Sequence, residues 1–333
     1  MMALRAAARA TPKSFASANL LIGGVLRPAE HGATADVVDP ASGAPFTTVP
    51  EASARDLDEA VRAAAAAFPA WAATDWGERR AALADAADRL EARGDEFAVA
   101  LTKEQGKPLG AARGEVAACV AGFRHTSEAD LLAPTVVHED KARRYEIHYA
   151  PRGVVAAITP WNFPLLMAKN KLAEALLSGN SCVLKPSPYT PLTATMFGEI
   201  ARESFPPGVV NVVTGGDALG AALVAHESVA TVSFTGSVAT GRAIASAAAP
   251  DLKRVVLELG GNDAAIVLSD ADVEAVAPRI FGAAMYNSGQ VCIAIKRVYA
   301  HDSVRGALVA KLGELAEAAV VGDGHTRVRN SQL

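Results

Sequence analysis

Apolar residues follow two different spacings along this chain, and the change falls close to Tyr145. Before that point they recur at three- and four-residue intervals, as in Leu83, Ala87 and Leu90, which is typical of amphipathic helices. We expect Pro69 to end the first helix, because proline cannot donate the amide hydrogen that a helix interior requires. The spacing predicts helices over residues 53–68, 78–93, 95–105 and 110–129.

After Tyr145, short runs rich in β-branched residues alternate with helical stretches. The predicted strands are residues 153–159, 181–184, 209–213, 229–235, 255–259 and 264–268. The predicted helices between them are residues 167–177, 191–203, 218–225 and 238–248. Several strands are apolar at consecutive positions, as parallel strands are when helices cover both faces of a sheet. The alternation predicts an α/β fold with a Rossmann-like, doubly wound parallel sheet, and a second unit that begins after Ala264.

Composition and charge narrow the possible classes of function. The 333 residues include 32 basic and 36 acidic side chains, so a basic nucleic-acid-binding surface is not expected. Three cysteines are too few for a disulfide scaffold, and no apolar run reaches the roughly 20 residues of a membrane-spanning helix. We therefore expect a cytoplasmic protein whose partners include neither nucleic acid nor membrane.

The N-terminal segment leaves a second compartment open. Residues 1–29 contain Arg5, Arg9, Lys13 and Arg27 but no acidic residue, a composition that is also typical of an organellar transit peptide. The simpler interpretation is a disordered extension of a cytoplasmic protein, which we place at residues 1–19. A mitochondrial or other organellar matrix location is the alternative.

A glycine-containing turn, Phe234–Gly241 (FTGSVATG), follows a predicted strand and opens a predicted helix. Backbone amides and the positive end of a helix suit a phosphate at such a place. The spacing from Gly236 to Gly241 resembles the start of a Walker A loop of nucleoside triphosphatases. However, Arg242 and Ala243 stand where that motif requires Lys and then Ser or Thr. A purely structural corner between strand and helix explains the turn equally well.

Two reactive side chains stand out from their surroundings. Cys292 follows the flexible polar residues 287–290 (NSGQ), whereas Cys119 and Cys182 lie in apolar runs and are interpreted as core residues. Glu258 lies in the apolar run 255–259, where burial of an anion is costly and a general base is a reasonable interpretation. The alternatives are an ordinary loop cysteine, and an edge strand from which Glu258 faces water.

Two further polar residues follow predicted strands at one edge of the sheet. Asn162 lies in Thr159–Pro164 (TPWNFP), where two prolines limit its freedom and a rigid amide could donate to an oxyanion. Lys185 follows the next strand and could reach a sugar hydroxyl or a phosphate. A simple turn and a surface lysine are the alternatives.

Five motifs in this order resemble the NAD(P)-dependent aldehyde dehydrogenase superfamily. They are TPWNFP at 159–164, KPSPYTPL at 185–192, FTGSVATG at 234–241, LELGGN at 257–262 and NSGQVCIAIKR at 287–297. The resemblance extends from about Leu20 to Gly324. It implies an aldehyde dehydrogenase-like fold with a dinucleotide-binding domain over residues 20–257 and the beginning of a catalytic domain over 258–333. Residues 136–150 resemble part of the hairpin through which family members form homo-oligomers.

The resemblance also implies roles for individual residues, with an aldehyde as substrate, NAD or NADP as cofactor and no metal. Cys292 matches the nucleophile that forms a thioester, Glu258 the general base, Asn162 the oxyanion-binding amide, and Lys171 a supporting lysine. The positions that match dinucleotide contacts are Thr159, Pro160, Trp161, Lys185, Ser187, Pro188, Gly216, Gly236, Ser237 and Leu259.

Two departures from the family pattern affect these expectations. Pro188 stands where many NAD-preferring members carry the glutamate that binds the ribose hydroxyls, so use of NADP remains open. Family members are also longer, so we expect a C-terminally truncated catalytic domain and poor turnover by residues 1–333 alone. The alternatives are a non-catalytic remnant that binds dinucleotide or a full-length relative, and a cofactor-independent cysteine hydrolase.

Overall fold

The structure of the chain is a computed structural model, and it describes residues 18–131 and 133–325. Most of the expected N-terminal extension therefore lies outside the described residues. The strands are β1 (Leu20–Ile22), β2 (Val25–Arg27), β3 (Thr34–Asp39), β4 (Ala44–Pro50), β5 (Thr135–Glu139), β6 (Arg144–Ile147), β7 (Val154–Ile158), β8 (Ser181–Lys185), β9 (Val210–Val212), β10 (Val229–Thr235), β11 (Arg254–Glu258), β12 (Asp263–Val267) and β13 (Ile295–Ala300). The helices are α1 (Ala54–Ala73), α2 (Trp76–Ala92), α3 (Gly94–Gln105), α4 (Leu109–Ser127), α5 (Pro164–Leu177), α6 (Leu192–Ser204), α7 (Asp217–Ala225), α8 (Val238–Ala248), α9 (Val273–Met285) and α10 (Asp302–Glu317).

Seven strands form the main sheet, in the order β11-β10-β7-β8-β9-β1-β2. The five strands from β11 to β9 are parallel, and β1 and β2 add an antiparallel edge. From the central strand β7 the chain proceeds outwards to β8 and β9, and then returns to the other side of β7 with β10 and β11. The predicted α/β fold class is confirmed, and the order reverses between β7 and β10. In doubly wound sheets such a reversal opens a ligand-binding crevice at the carboxyl ends of the strands.

Helices cover both faces of this sheet, which explains why β7 and β8 are buried at every position. Alternate residues of β7 face opposite layers, with Val155 and Ala157 on one side and Val154 and Ala156 on the other. The first layer consists of α2 to α6, and it buries Phe97, Phe123 and Phe197. The second layer consists of α1, α7 and α8.

Two expectations for the first third of the chain were wrong. Helix α1 continues through Pro69 to Ala73, because Trp71 is buried and its indole nitrogen donates to the Leu176 carbonyl oxygen at 3.0 Å. Burial of an aromatic side chain stabilises the last turn by more than the absent proline hydrogen bond weakens it. Residues 20–50 contain β1 to β4, which were not predicted. β1 and β2 have three residues each, and β3 and β4 mix apolar residues with polar and small ones, so the segment shows no clear apolar period.

Most of the segment 136–150 lies in an antiparallel hairpin of β5 and β6, which forms a two-stranded sheet separate from the main sheet. Every residue of β5 is exposed, including Val136 and Val137, and Ile147 of β6 is exposed as well. Its part in oligomerisation stays a prediction, as does the domain boundary at residue 258.

A smaller unit follows the main sheet and contains the parallel pair β12 and β13. Helices α9 and α10 cover one face of this pair around Val267, Ile280 and Leu308. On the opposite face, Ile266 and Tyr299 are paired across the strands and exposed. Within residues 18–131 and 133–325, no helix combines the length and the apolar character needed to cross a membrane.

Candidate active site

The crevice at the strand reversal is bordered by the segments that follow β7 and β10. Ile158 pairs with Phe234, so Thr159, Pro160 and Trp161 emerge beside the Gly236 turn. Thr159 is only 3% exposed, and its hydroxyl oxygen has no hydrogen-bond partner among the described residues. A buried hydroxyl without a partner is costly, and a bound polar ligand at this edge would satisfy it.

The Gly236 turn is fixed by contacts to the neighbouring strand and helix. The Gly236 amide donates to the Glu258 carbonyl oxygen at 3.0 Å, and the Ser237 hydroxyl accepts from the Thr240 amide at 3.1 Å as the N-cap of α8. Leu259 packs against the first turn of α8, where a Cβ at Gly241 would lie 2.7 Å from its Cδ2 atom. These contacts direct the positive end of α8 towards the crevice edge.

Lys185 brings a buried ammonium group to the same edge of the sheet. Its Nζ atom donates to the Pro186 carbonyl oxygen at 3.2 Å, and its side chain passes Gly220 at the start of α7. Burial lowers the pKa of Lys185 to about 8, and attraction to Asp217 partly offsets that effect. Ser187 is buried and Pro188 is exposed in the loop that follows, and Gly216 precedes α7 as its N-cap.

Asn162 contacts the loop that carries Cys292. The Asn162 side-chain oxygen accepts from the Phe163 amide at 3.1 Å, and its Nδ2 atom donates to the Gln290 carbonyl oxygen at 2.6 Å. This pair of bonds fixes the orientation of the amide with its NH₂ group towards the cysteine loop. Asn287 donates in return from Nδ2 to the Asn162 carbonyl oxygen at 3.2 Å. Asn162 and the loop that carries Cys292 are thus in contact, although Asn162 and Cys292 are 130 positions apart in the sequence.

The cysteine loop has an unusual backbone. Asn287, Ser288 and Gly289 have φ angles of 51°, 60° and 74°, so three successive residues adopt the left-handed conformation. Cys292 follows and is exposed. A Cβ at Gly261 would overlap the Cys292 carbonyl oxygen, so the segment that follows Glu258 approaches the cysteine backbone closely. The exposed thiol therefore stands at the meeting point of the Asn162 loop and the Gly261 segment.

Glu258 is not buried in the way its apolar neighbours suggested. It ends β11, which is the edge strand of the main sheet, and it is exposed. Within the described part of the chain β11 pairs only with β10, so its other edge has no strand beside it. This environment matches the alternative interpretation, an edge strand from which Glu258 faces water. A role in proton transfer would therefore depend on the contact of its carboxylate with water.

Lys171 extends from α5 towards the same strands. Its Nζ atom donates to the Ser233 hydroxyl at 3.1 Å. Burial lowers the pKa of Lys171 to about 8, and attraction to the Glu258 carboxylate partly offsets that effect. The positive charge of Lys171 on α5 therefore interacts with the Glu258 carboxylate at the end of β11.

Sequence reasoning missed three residues that contact this site. Lys107 and Asn287 both donate to the Asn162 carbonyl oxygen, and Glu115 forms an ion pair with Lys107. Lys107 follows the predicted helix 95–105 and lies between Gly106 and Pro108, and nothing in that local sequence indicates a contact with Asn162. Asn287 was seen only as part of a flexible polar approach to Cys292.

Comparison with known proteins identifies the family. Residues 27–331 match the model of the aldehyde dehydrogenase family. The phenylacetaldehyde dehydrogenase of Pseudomonas fluorescens is 43% identical over 319 residues, which cover 92% of this chain and 63% of that relative. A second relative is the succinate-semialdehyde dehydrogenase GabD of Escherichia coli, whose name specifies NADP(+) as cofactor. It is 37% identical over 91% of this chain and 64% of that relative.

A solved structure gives the same result. The NAD-dependent aldehyde dehydrogenase from Sinorhizobium meliloti superimposes with a TM-score of 0.91 at 37% identity, over 94% of this chain and 64% of that one. The chain thus spans less than two thirds of the length of each of these relatives. The fold, the motif order and the sequence similarity agree, and the chain belongs to the aldehyde dehydrogenase family.

Proposed function

We propose that this chain supplies the nucleophile and the dinucleotide crevice of an enzyme that oxidises an aldehyde to a carboxylic acid with NAD or NADP. The hydrogen bond from Asn162 Nδ2 to the Gln290 carbonyl oxygen carries the proposal. It holds an amide donor against the loop of an exposed cysteine, at the edge of the sheet where doubly wound folds bind ligands.

The crevice residues fit a dinucleotide. Thr159 offers a buried hydroxyl that has no hydrogen-bond partner among residues 18–131 and 133–325, and Lys185 offers a buried ammonium group. The N-terminus of α8, capped by Ser237, suits a phosphate. When bound, the cofactor would supply the acceptor for a hydride. Pro188 places no carboxylate in the loop after Lys185, so the 2′-phosphate of NADP would meet no negative charge from that residue.

The proposed chemistry uses four side chains of this chain. The Cys292 thiolate attacks the aldehyde carbon, and Asn162 Nδ2 with the Cys292 backbone amide would stabilise the oxyanion that forms. Loss of a hydride from that carbon leaves a thioester on Cys292. Glu258, exposed to solvent, would take a proton from the water that attacks the thioester, which releases the acid and restores the thiol. Lys171 supports Glu258 through its positive charge.

A spectrophotometric assay tests the proposal. Purified protein is mixed with aliphatic, aromatic and semialdehyde substrates and with each cofactor, and reduced cofactor is followed by absorbance. Cys292→Ser and Asn162→Ala are expected to lower turnover, the second by about 10²–10³-fold if its amide is an oxyanion donor. A variant Cys292→Ser that keeps the wild-type rate would contradict the proposed nucleophile.

The exposed face of β12 and β13, opposite α9 and α10, favours a second candidate function. In that case the chain is not catalytic, but binds dinucleotide and associates with a longer relative. Ile266 and Tyr299 form an exposed apolar pair on that face, and β5 and β6 pair only with each other in the part of the chain that the structure describes, which leaves their outer edges open. Calorimetric titration with NAD and NADP separates the candidates. Binding without turnover of any aldehyde favours the second candidate, and turnover above that of Cys292→Ser favours the first.

A further inference from the structure

Lys107 and Glu115 form an ion pair that is almost completely enclosed. Lys107 lies between α3 and α4, Glu115 lies on α4, and their side chains are 2% and 1% exposed. Two buried charges repay their desolvation only when further hydrogen bonds satisfy both groups. The remaining partners of the pair therefore indicate which part of the molecule it holds.

Both charges bind the short segment that contains Asn162. Lys107 Nζ donates to the Asn162 carbonyl oxygen at 3.1 Å and lies 4.0 Å from the centre of the Phe163 ring. Glu115 Oε1 accepts from the Leu166 amide at 3.1 Å, in the first turn of α5. The N-cap of that helix, Phe163, forms no side-chain cap, so Glu115 provides the cap from another helix. The ion pair thus fixes both ends of residues 162–166.

The same contacts form a continuous series that ends at the cysteine loop. Lys107 donates to the peptide carbonyl of Asn162, and the other end of that peptide group, the Phe163 amide, donates to the Asn162 side-chain oxygen. The Asn162 NH₂ group donates in turn to Gln290. Hydrogen bonds in series polarise one another, so the ammonium charge of Lys107 makes the NH₂ group of Asn162 a stronger donor.

We propose that the Lys107–Glu115 pair positions and polarises the Asn162 amide for the oxyanion that forms on Cys292. The proposal rests on the function proposed above. Lys107 and Glu115 are positioning residues, because neither reaches the reacting atoms. Asn287 shares the Asn162 carbonyl oxygen with Lys107, so the nucleophile loop and the oxyanion loop are held against one buried charge.

Two reactions of Cys292 separate this role from a general structural one. Acylation by p-nitrophenyl acetate forms an oxyanion, whereas alkylation by iodoacetamide does not, so the ratio of their rates reports the oxyanion donor. The test variant is Lys107→Met with Glu115→Met, which leaves no buried charge without a partner. Lys253→Met is the matched control, because Lys253 is also buried and donates to the Val224 and His226 carbonyl oxygens.

We expect the double variant to lower the acylation-to-alkylation ratio at least about 10-fold, approaching the loss of Asn162→Ala. The control Lys253→Met is expected to keep the wild-type ratio. An unchanged ratio in the double variant, where Asn162→Ala lowers it, would overturn the proposal.

Hydrogen exchange provides a measurement that does not depend on catalysis. The double variant is expected to speed exchange at the Phe163 and Leu166 amides, which donate to Asn162 and Glu115, without a general increase. If Asn162→Ala leaves the acylation ratio unchanged, the oxyanion role of Asn162 fails, and the exchange data alone decide the positioning role. Unchanged exchange at these amides then overturns it.

Discussion

Cys292 is the only one of the three cysteines in this chain that a reagent can approach in the folded protein. Cys119 and Cys182 are fully buried, and burial raises the pKa of both thiols, so few thiolates exist there at neutral pH. We expect iodoacetamide at pH 8 to label Cys292 first, as mapped by peptide mass spectrometry. Faster labelling of Cys119 or Cys182 in the native protein would contradict the assignment.

Gly261 and Gly260 offer a matched pair of substitutions beside Cys292, the proposed nucleophile. A Cβ at position 261 would overlap the Cys292 carbonyl oxygen, whereas a Cβ at position 260 would meet no atom within 4 Å. Gly261→Ala is therefore expected to displace the cysteine loop and to lower acylation of Cys292 at least about 10-fold, since misplacement by about 1 Å can cost 10²-fold. Gly260→Ala is expected to stay within a factor of two. Equal rates for the two variants would show that the close approach is unimportant.

The lowered pKa of Lys171 predicts how the free energy of unfolding changes at alkaline pH. Its pKa is about 8 in the folded chain and 10.5 in the ordinary reference, so between these values the unfolded chain holds more protons. Stability contributed by this position therefore rises with pH across that window, by about 3 kcal/mol in total. We expect the free energy of unfolding of wild type, relative to Lys171→Met, to increase from pH 7.5 to 10.5. A difference in free energy of unfolding that stays constant over this pH range would show that Lys171 is not desolvated. The control is Lys296→Met, which replaces an exposed lysine.

Local sequence context is enough to nominate candidate residues, but it does not predict their surroundings. Asn162 between two prolines and Cys292 after a polar run are visible in short windows. The contacts from Lys107 and Asn287 to Asn162 span 55 and 125 positions, and no periodicity reports contacts at such distances. The exposure of Glu258 was not predictable, because the same apolar run suits a central strand or an edge strand until the strand order is known.

At the scale of elements, helix α6 begins without a capping side chain of its own. Its N-cap is Pro191, and the carboxylate of Glu104 on α3 instead accepts from the Leu192 amide at 2.7 Å and the Thr193 amide at 3.1 Å, and from the Thr193 hydroxyl. Removal of this acceptor leaves buried donors without partners, each at a cost of about 1–3 kcal/mol.

We expect Glu104→Ala to lower the free energy of unfolding in urea by about 3 kcal/mol, allowing for non-additivity among these donors. The exposed Glu78→Ala, in the first turn of α2, is expected to cost only about 0.5 kcal/mol. Similar losses for the two variants would mean that water replaces the cap of α6.

Most of the helices and the five parallel strands of the main sheet were predictable, because many of these elements are bounded by strong local signals. Gly106 ends α3 in the left-handed conformation, and Ser53 caps α1 with a reciprocal bond to Asp56. Pro69 misled the prediction because burial of Trp71, a tertiary effect, outweighs a local propensity. The pairing of β1 with β9 was equally invisible, since it joins residues about 190 positions apart through a single register contact.

At the scale of the whole molecule, the exposed face of β12 and β13 presents two large apolar side chains to solvent. Ile266 is 74% exposed and Tyr299 is 55% exposed, and they lie side by side. We expect the chain to self-associate through this face at micromolar concentration, and Ile266→Lys to shift it towards monomer in sedimentation velocity. Val309→Lys, on the exposed side of α10, is expected to leave association unchanged. An equal effect of both substitutions would point to net charge as the cause.

The strand order has a consequence for the order of events during synthesis. β7, β8 and β9 are complete once residue 212 has been made, but the other wall of the crevice waits for β10 at residues 229–235. Until then β7 is an open edge with apolar residues on both faces, the kind of surface that chaperones bind. A ribosome paused between these points would hold a half-sheet that lacks one wall of the crevice. If the chain binds dinucleotide as proposed, the cofactor can stabilise only the state in which the second half has docked.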